Sequence, residues 1–142
     1  MNQGVKIRPY RFPDDYESVV ALWENSGPGV RTGRSDTLEE IAKKQERDPE
    51  LFLVAEIDES IIGTVLGGFD GRRALIYHLS VDEKFRQQGI GSTLMENLEE
   101  LLREKGCLRS YLLMTKDNPA IEFYRKQGWQ ILDLFAMGKD LQ

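Results

Sequence analysis

Apolar residues along this chain change their spacing several times, and each change predicts a different element. Tyr16, Val19, Val20 and Trp23 follow the spacing of one helical face. Between residues 51 and 81, three apolar runs separated by short polar turns are typical of neighbouring strands. The predicted strands cover residues 5–10, 51–57, 61–69, 74–81 and 109–115, and a final strand or hairpin covers residues 129–141. The predicted helices are capped at or start from Asp14, Asp36, Gly89 and Asn118.

This order, β-α-α-β-β-β-α-β-α-β, predicts an α+β fold for the chain. A mixed central β-sheet would carry helices on both faces, because each helix has one apolar side to bury. The helix from Gly89 to Lys105 would join two parallel strands by a right-handed crossover. At 142 residues without an evident linker, the sequence predicts one domain spanning residues 1–142.

Composition excludes several classes of function. A net charge of −5 argues against a nucleic-acid partner, since such domains are usually basic. No apolar run approaches the length of a membrane span, and no secretory leader is evident, so no membrane association is predicted. Cys107 is the single cysteine, which excludes an intrachain disulfide and favours a reducing, cytoplasmic compartment.

A turn between a predicted strand and the longest predicted helix has the composition of an anion site. It carries Arg86, Gly89 and Gly91 just where the helix begins. The first amides of a helix have no partner within it, and glycines let an anion approach the backbone closely. Taken alone, the same glycine spacing also fits an ordinary helix start.

A second motif, from Asn118 to Trp129, decides between these interpretations. Together with Arg86-x-x-Gly89-x-Gly91, its Ala120-x-x-x-Tyr124-x-x-x-Gly128-Trp129 pattern resembles the GNAT superfamily of N-acetyltransferases, in its small single-domain bacterial type. The resemblance runs from Ile7 to about Lys139. It implies a GNAT-like fold, acetyl-CoA as co-substrate, no metal, and direct acetyl transfer to a primary amine of a small molecule or protein.

The resemblance also implies where acetyl-CoA binds. The coenzyme would lie where strands 74–81 and 109–115 splay apart, with the Val81 amide as oxyanion donor. The residues implied in coenzyme binding are Leu79, Ser80, Val81, Arg86, Gln87, Gln88, Gly89, Ile90, Gly91, Ser92, Asn118, Phe123 and Tyr124. An asparagine is frequent in the family seven residues before the tyrosine, where this chain has Asp117, so Asn118 is either a ligand or only a helix cap.

Tyr124 occupies the family's tyrosine position, which implies a proton donor for the leaving thiolate. A phenol with a pKa near 10 suits that role. Periodicity alone favours an amphipathic core residue at Tyr124, and the flanking motif reverses this preference in favour of the proton donor.

No general base stands out in the sequence. His78 is the single histidine, but alternation along a strand turns it away from Tyr77 and Leu79. In related acetyltransferases the bases on this strand point to the same side of the strand as Tyr77 does here. The sequence therefore favours, as the route for the proton, an ordered water that hydrogen-bonds to backbone carbonyls and Tyr77. It favours a structural role for His78 and leaves His78 as the base open.

The acceptor is expected to meet the loop from Ser26 to Arg34, the first two helices and a hairpin end. Candidate contacts are Trp23, Arg31, Phe69 and Tyr77, of which Trp23 also fits the core and Arg31 also fits a solvated loop. A non-catalytic acyl-CoA-binding module is the alternative function. The sequence leaves a homodimer open.

Overall fold

One mixed five-stranded sheet organises the protein. The structure is a computed structural model that describes residues 4–27 and 29–142. The strands are β1 (Lys6–Pro9), β2 (Phe52–Ile57), β3 (Ser60–Phe69), β4 (Ala74–Val81) and β5 (Ser110–Leu112), side by side in chain order. β1 to β4 pair antiparallel, and β5 pairs parallel to β4.

Helices cover both faces of the sheet, as the apolar pattern predicts. They are α1 (Tyr16–Glu24), α2 (Leu38–Arg47), α3 (Ile90–Glu104) and α4 (Ile121–Lys126), with short 3-10 turns at Arg34–Asp36 and Glu83–Phe85. α3 buries Leu94, Met95 and Leu98 against one face. α1 and α2 cover the other face through Trp23 and Ile41. Among the described residues, none of these helices is long and apolar enough to cross a bilayer.

Two predicted helix caps are wrong. α1 begins after Asp15 rather than Asp14, and the Asp15 carboxylate binds Arg8 and the Arg11 amide instead of the helix. α2 is capped by the Thr37 hydroxyl. At α2 the predicted cap, Asp36, instead accepts a hydrogen bond from the Gly33 amide and lies 2.8 Å from His78 Nε2.

The predicted final strand from Trp129 to Leu141 is also wrong, since residues 129–142 form neither strand nor helix. The apolar residues of this segment do not alternate with polar ones, so a strand here would have apolar side chains on both faces. Other elements would have to pack on both faces to bury them. Instead its large side chains lie exposed, at Ile131, Leu134, Phe135, Met137 and Leu141.

Candidate active site

A cleft of about 890 Å³ opens where β4 and β5 separate. The two strands pair only from Ala74 and Ser110 to Ile76 and Leu112, while β4 continues to Val81. Backbone polar groups of the unpaired stretch are thus available to a ligand that adds itself as an extended strand. Every residue predicted to bind the coenzyme lines this cleft except Gln88.

The loop before α3 forms a cradle of amides at one end of the cleft. Gln87 and Gly89 both have positive φ, +61° and +80°, which turns successive amides the same way. Within the described chain, no group accepts a hydrogen bond from the backbone amides of residues 87–92. These amides lie at the positive end of the α3 dipole, so the cradle favours an anion such as a phosphate.

The Arg86 side chain ties this cradle to its surroundings. Its Nε donates to the Val81 carbonyl at 3.0 Å, and one Nη donates to the Ser26 carbonyl at 3.4 Å. The guanidinium therefore links the end of β4 to the loop after α1 while still lining the cleft. It adds positive charge beside the cradle.

Tyr124 lies on α4 with its ring between two aromatic neighbours. Edge contacts place the ring centroid 5.3 Å from Phe123 and 6.2 Å from Trp129. Burial raises the pKa of Tyr124 to about 12. Because the phenol then keeps its proton at neutral and mildly alkaline pH, it can act as a donor to a group in the cleft.

Asn118 connects the start of the α4 segment to the other side of the cleft. Its Oδ1 accepts from the Ala120 amide at 2.8 Å, and its Nδ2 donates to the Gly29 carbonyl at 3.5 Å. The side chain thus serves the turn before α4, whose N-cap is Ala120. The predicted role of Asn118 as helix cap is therefore wrong, whereas its role as a ligand stays a prediction, since the residue lines the cleft.

A β-bulge breaks the alternation of β4 at His78. Leu66 pairs with Tyr77 and Thr64 with Ser80, so β4 has one more residue than β3 between these pairs. His78 takes a positive φ of +53° there. The prediction that His78 points away from Tyr77, made from the alternation of side chains along a strand, is therefore wrong. The two ring centroids lie 5.6 Å apart, and both residues line the cleft.

Asp36 is a site residue that the sequence did not reveal. Its Oδ1 lies 2.8 Å from His78 Nε2, and the two side chains are 8% and 14% exposed. The sequence offered no signal for this pair, since the residues lie 42 positions apart and Asp36 looked like a helix cap. The pairing depends on the 3-10 turn before α2 and on the bulge in β4.

Two predicted acceptor contacts do not reach the cleft. Trp23 is 1% exposed, and its Nε1 donates to Thr64 Oγ1 at 2.9 Å. Phe69 lies at the far end of β3, opposite Ala74. Arg31 and Tyr77 do line the cleft.

Comparison with known proteins agrees with this geometry. Residues 16–129 match the model of the Acetyltransferase (GNAT) family. The chain belongs to the GNAT family. A protein named acetyltransferase from Pectobacterium atrosepticum is 38% identical over 138 residues, covering 96% of each chain. A Yersinia pestis acetyltransferase is 37% identical, covering 90% of each chain.

Solved structures place the fold in the same GNAT family. Ard1 from Thermoplasma volcanium shares 32% identity with a TM-score of 0.78, over 91% of this chain and 84% of its own. PaiA N-acetyltransferase from Thermoplasma acidophilum, solved in complex with coenzyme A, has a TM-score of 0.80 at 21% identity, over 95% of this chain and 94% of its own. The chain is thus an acetyltransferase of GNAT fold.

Proposed function

We propose that this GNAT protein is a single-domain enzyme that moves an acetyl group from acetyl-CoA directly to a primary amine. The observation that carries the proposal is the cleft between β4 and β5, with a cradle of unpaired amides at one end and the Tyr124 phenol in its wall. Such a cleft suits a long ligand with an anionic end and a reactive acyl end. The PaiA relative's complex with coenzyme A supports the choice of ligand.

The coenzyme would bind along the splayed part of β4. The pyrophosphate would accept hydrogen bonds from the cradle at residues 87–92, beside the Arg86 side chain. The pantetheine arm would pair with the backbone of Leu79, Ser80 and Val81. The Val81 amide would donate to the oxyanion that forms when the amine attacks. Phe123 and Asn118 would complete the wall. No metal takes part in this scheme.

Tyr124 would protonate the leaving thiolate. A thioester needs little activation, so the enzyme mainly has to orient donor and acceptor and manage protons. The phenol is suited to this role because burial keeps it protonated and it lines the same cleft as the loop that would hold the coenzyme.

The acceptor would be a primary amine that also carries an acidic group. Arg31, in the loop after α1, lines the same cleft as Tyr77. A hydrogen bond from Thr115 and, more weakly, the charge of Arg31 lower the pKa of the exposed Asp117 carboxyl, so Arg31 already has one carboxylate nearby. Arg34 pairs with Asp140 at 3.2 Å, with both side chains exposed, and is not among the residues that line the cleft. A cation at the wall favours an acceptor with a carboxylate or phosphate near its amine.

Release of coenzyme A thiol with a panel of primary amines tests this proposal. We expect turnover with wild-type protein, and a kcat/KM about tenfold or more higher for phosphoethanolamine or glutamate than for ethanolamine. Arg31→Gln should remove that preference, whereas the matched control Arg34→Gln should keep it. Tight binding of acetyl-CoA without thiol release for any amine would favour the non-catalytic acyl-CoA-binding module.

The proposal extends to a homodimer. The exposed apolar side chains of residues 131–141 follow α4 in the chain, while β5 forms an edge of the sheet with only three paired residues. The segment of one copy can add to the β5 edge of another, which would cover both. A monomer in sedimentation equilibrium at micromolar concentration would contradict it.

A further inference from the structure

We propose that His78 and Asp36 form the base of the reaction, with His78 taking the proton from the acceptor ammonium and Asp36 positioning the ring. This inference rests on the proposed acetyl transfer. It replaces the water fed by Tyr77 that the sequence favoured, because the bulge in β4 puts His78 at the cleft.

The ring of His78 is held from three sides. Asp36 Oδ1 lies 2.8 Å from Nε2. The Trp23 ring packs against the imidazole with centroids 4.4 Å apart, and the Tyr77 ring meets it edge-on. A buried carboxylate bonded to Nε2 favours the tautomer with hydrogen on that nitrogen and leaves the lone pair on Nδ1. The described residues provide no hydrogen-bond partner for Nδ1.

Asp36 is itself fixed in place by two neighbours. Its Oδ2 accepts from the Gly33 amide at 2.9 Å, and its backbone carbonyl accepts from the Tyr16 hydroxyl at 2.8 Å. The carboxylate therefore has one oxygen for the turn and one for the imidazole. This arrangement keeps the ring oriented and offers a negative charge to an imidazolium when one forms.

The position of the strained backbone supports a functional role. A positive φ is uncommon for a non-glycine residue and costs free energy, so surrounding contacts must maintain it. Here the Thr64 hydroxyl donates to the His78 carbonyl at 2.9 Å and accepts from Trp23 Nε1. These contacts hold the backbone at His78, whose ring lies beside that of Tyr77 in a residue that lines the cleft.

The proton balance of the step is complete with groups already present. The ammonium gives one proton to His78 Nδ1, and the freed nitrogen lone pair forms a bond to the thioester carbon. This attack moves one electron pair of the carbonyl double bond onto oxygen. When that pair re-forms the carbonyl, the C–S bond breaks and the electron pair of that bond leaves on sulfur. A second proton passes from the nitrogen to that sulfur through the Tyr124 hydroxyl, the third stays in the amide, and His78 releases its proton to water.

Two acceptor amines of equal size but different basicity can show whether His78 acts as a base or has only a structural role. Ethylamine is an ammonium ion at pH 7.5, as lysine is with a pKa of about 10.4. Methoxyamine has nearly the same shape but is largely unprotonated there, so it needs no base before it attacks. Thiol release from acetyl-CoA would be measured with each amine at high concentration.

His78→Gln retains a side-chain amide that can donate to Asp36, and one glutamine of this chain, Gln87, already adopts a positive φ. We expect its kcat/KM to fall about 100-fold or more with ethylamine, and less than about tenfold with methoxyamine. His78→Asn should give the same pattern, because asparagine accepts positive φ readily. Asp36→Asn should show a smaller loss with the same selectivity.

Tyr16→Phe is the matched control, since it removes a hydrogen bond to the same turn without changing either side chain of the pair. It should affect both amines equally. Equal losses on both amines, or none, in folded His78→Gln and His78→Asn would overturn the assignment of His78 while leaving acetyl transfer intact. If the wild-type protein acetylates neither amine nor any of the acidic amines above, the proposed function fails, and the base assignment fails with it.

Discussion

Tyr124→Phe is expected to lower kcat by about 100-fold, while the affinity for acetyl-CoA and the fold are kept. Phenylalanine keeps the ring that contacts Phe123 and Trp129 but removes the proton for the leaving thiolate. A core residue would behave differently, since loss of one hydroxyl would cost about 1 kcal/mol of stability and leave kcat near wild type. Single-turnover kinetics with acetyl-CoA and an accepted amine would measure the effect on the chemical step.

The pH dependence of the same reaction provides a second check. Because burial raises the pKa of Tyr124 to about 12, the phenol stays protonated across the range in which the enzyme can be assayed. We therefore expect no loss of kcat from Tyr124 ionisation between about pH 7 and pH 10. Phe123→Leu, which changes a neighbouring ring but no proton donor, separates packing effects from acid catalysis. A fall in kcat near pH 9 that disappears in Tyr124→Phe would contradict the raised pKa.

Asp15→Ala is expected to destabilise the protein by about 3–5 kcal/mol, a large part of the stability of an ordinary domain. Arg8 is 6% exposed, and Asp15 binds its guanidinium through both carboxylate oxygens, at 2.7 and 3.0 Å. Glu56 occupies the other side of the guanidinium. Removal of Asp15 leaves a buried cation with one carboxylate partner, and it leaves the Arg11 amide without its acceptor. Urea unfolding at pH 7 would measure the difference.

The same carboxylate should make stability depend on pH in a stated direction. Burial by itself raises the pKa of Asp15, but hydrogen bonds from Arg8 and the Arg11 amide outweigh burial and lower it. Because the folded-state pKa lies below the unfolded value of about 3.9, the contribution is present above pH ~4 and is lost as the pH falls further. Asp15→Asn should therefore differ from wild type less at pH 3 than at pH 7. Glu17→Gln, an exposed change on the same helix, should have little effect at either pH.

Local chemistry explains why much of the fold was predictable. β4 has the predicted bounds, and α3 begins one residue after Gly89. The positive φ of Gly89 suits glycine, so the residue type marks the start of the helix in the sequence. The apolar stripe of α3 likewise fixed which side faces the sheet. The amide cradle follows from these two elements, so the sequence could locate it.

Features that depend on distant contacts were not predictable in this way. The bulge in β4 can be recognised only from the pairing of β4 with β3. Because of this bulge, His78 lies on the opposite side of the strand from the one that simple alternation predicts. Asp36 meets His78 only after α1, the 3-10 turn and the sheet have come together. Residues 129–142 are apolar enough for a strand. Composition alone does not make them one, because a strand also needs a neighbouring strand to pair with and other residues to cover its apolar side chains, which here lie exposed.

Calorimetric titration of acetyl-CoA into the wild-type protein tests the central claim most directly. We predict one acetyl-CoA per chain, with affinity at least about tenfold higher than for ATP or NAD, which offer phosphates to the cradle but no pantetheine arm to the splayed β4. Ligand at a hundred times its dissociation constant should then stabilise the fold by about 2.7 kcal/mol. No binding of acetyl-CoA, or binding no tighter than that of ATP, would contradict the assignment of this cleft.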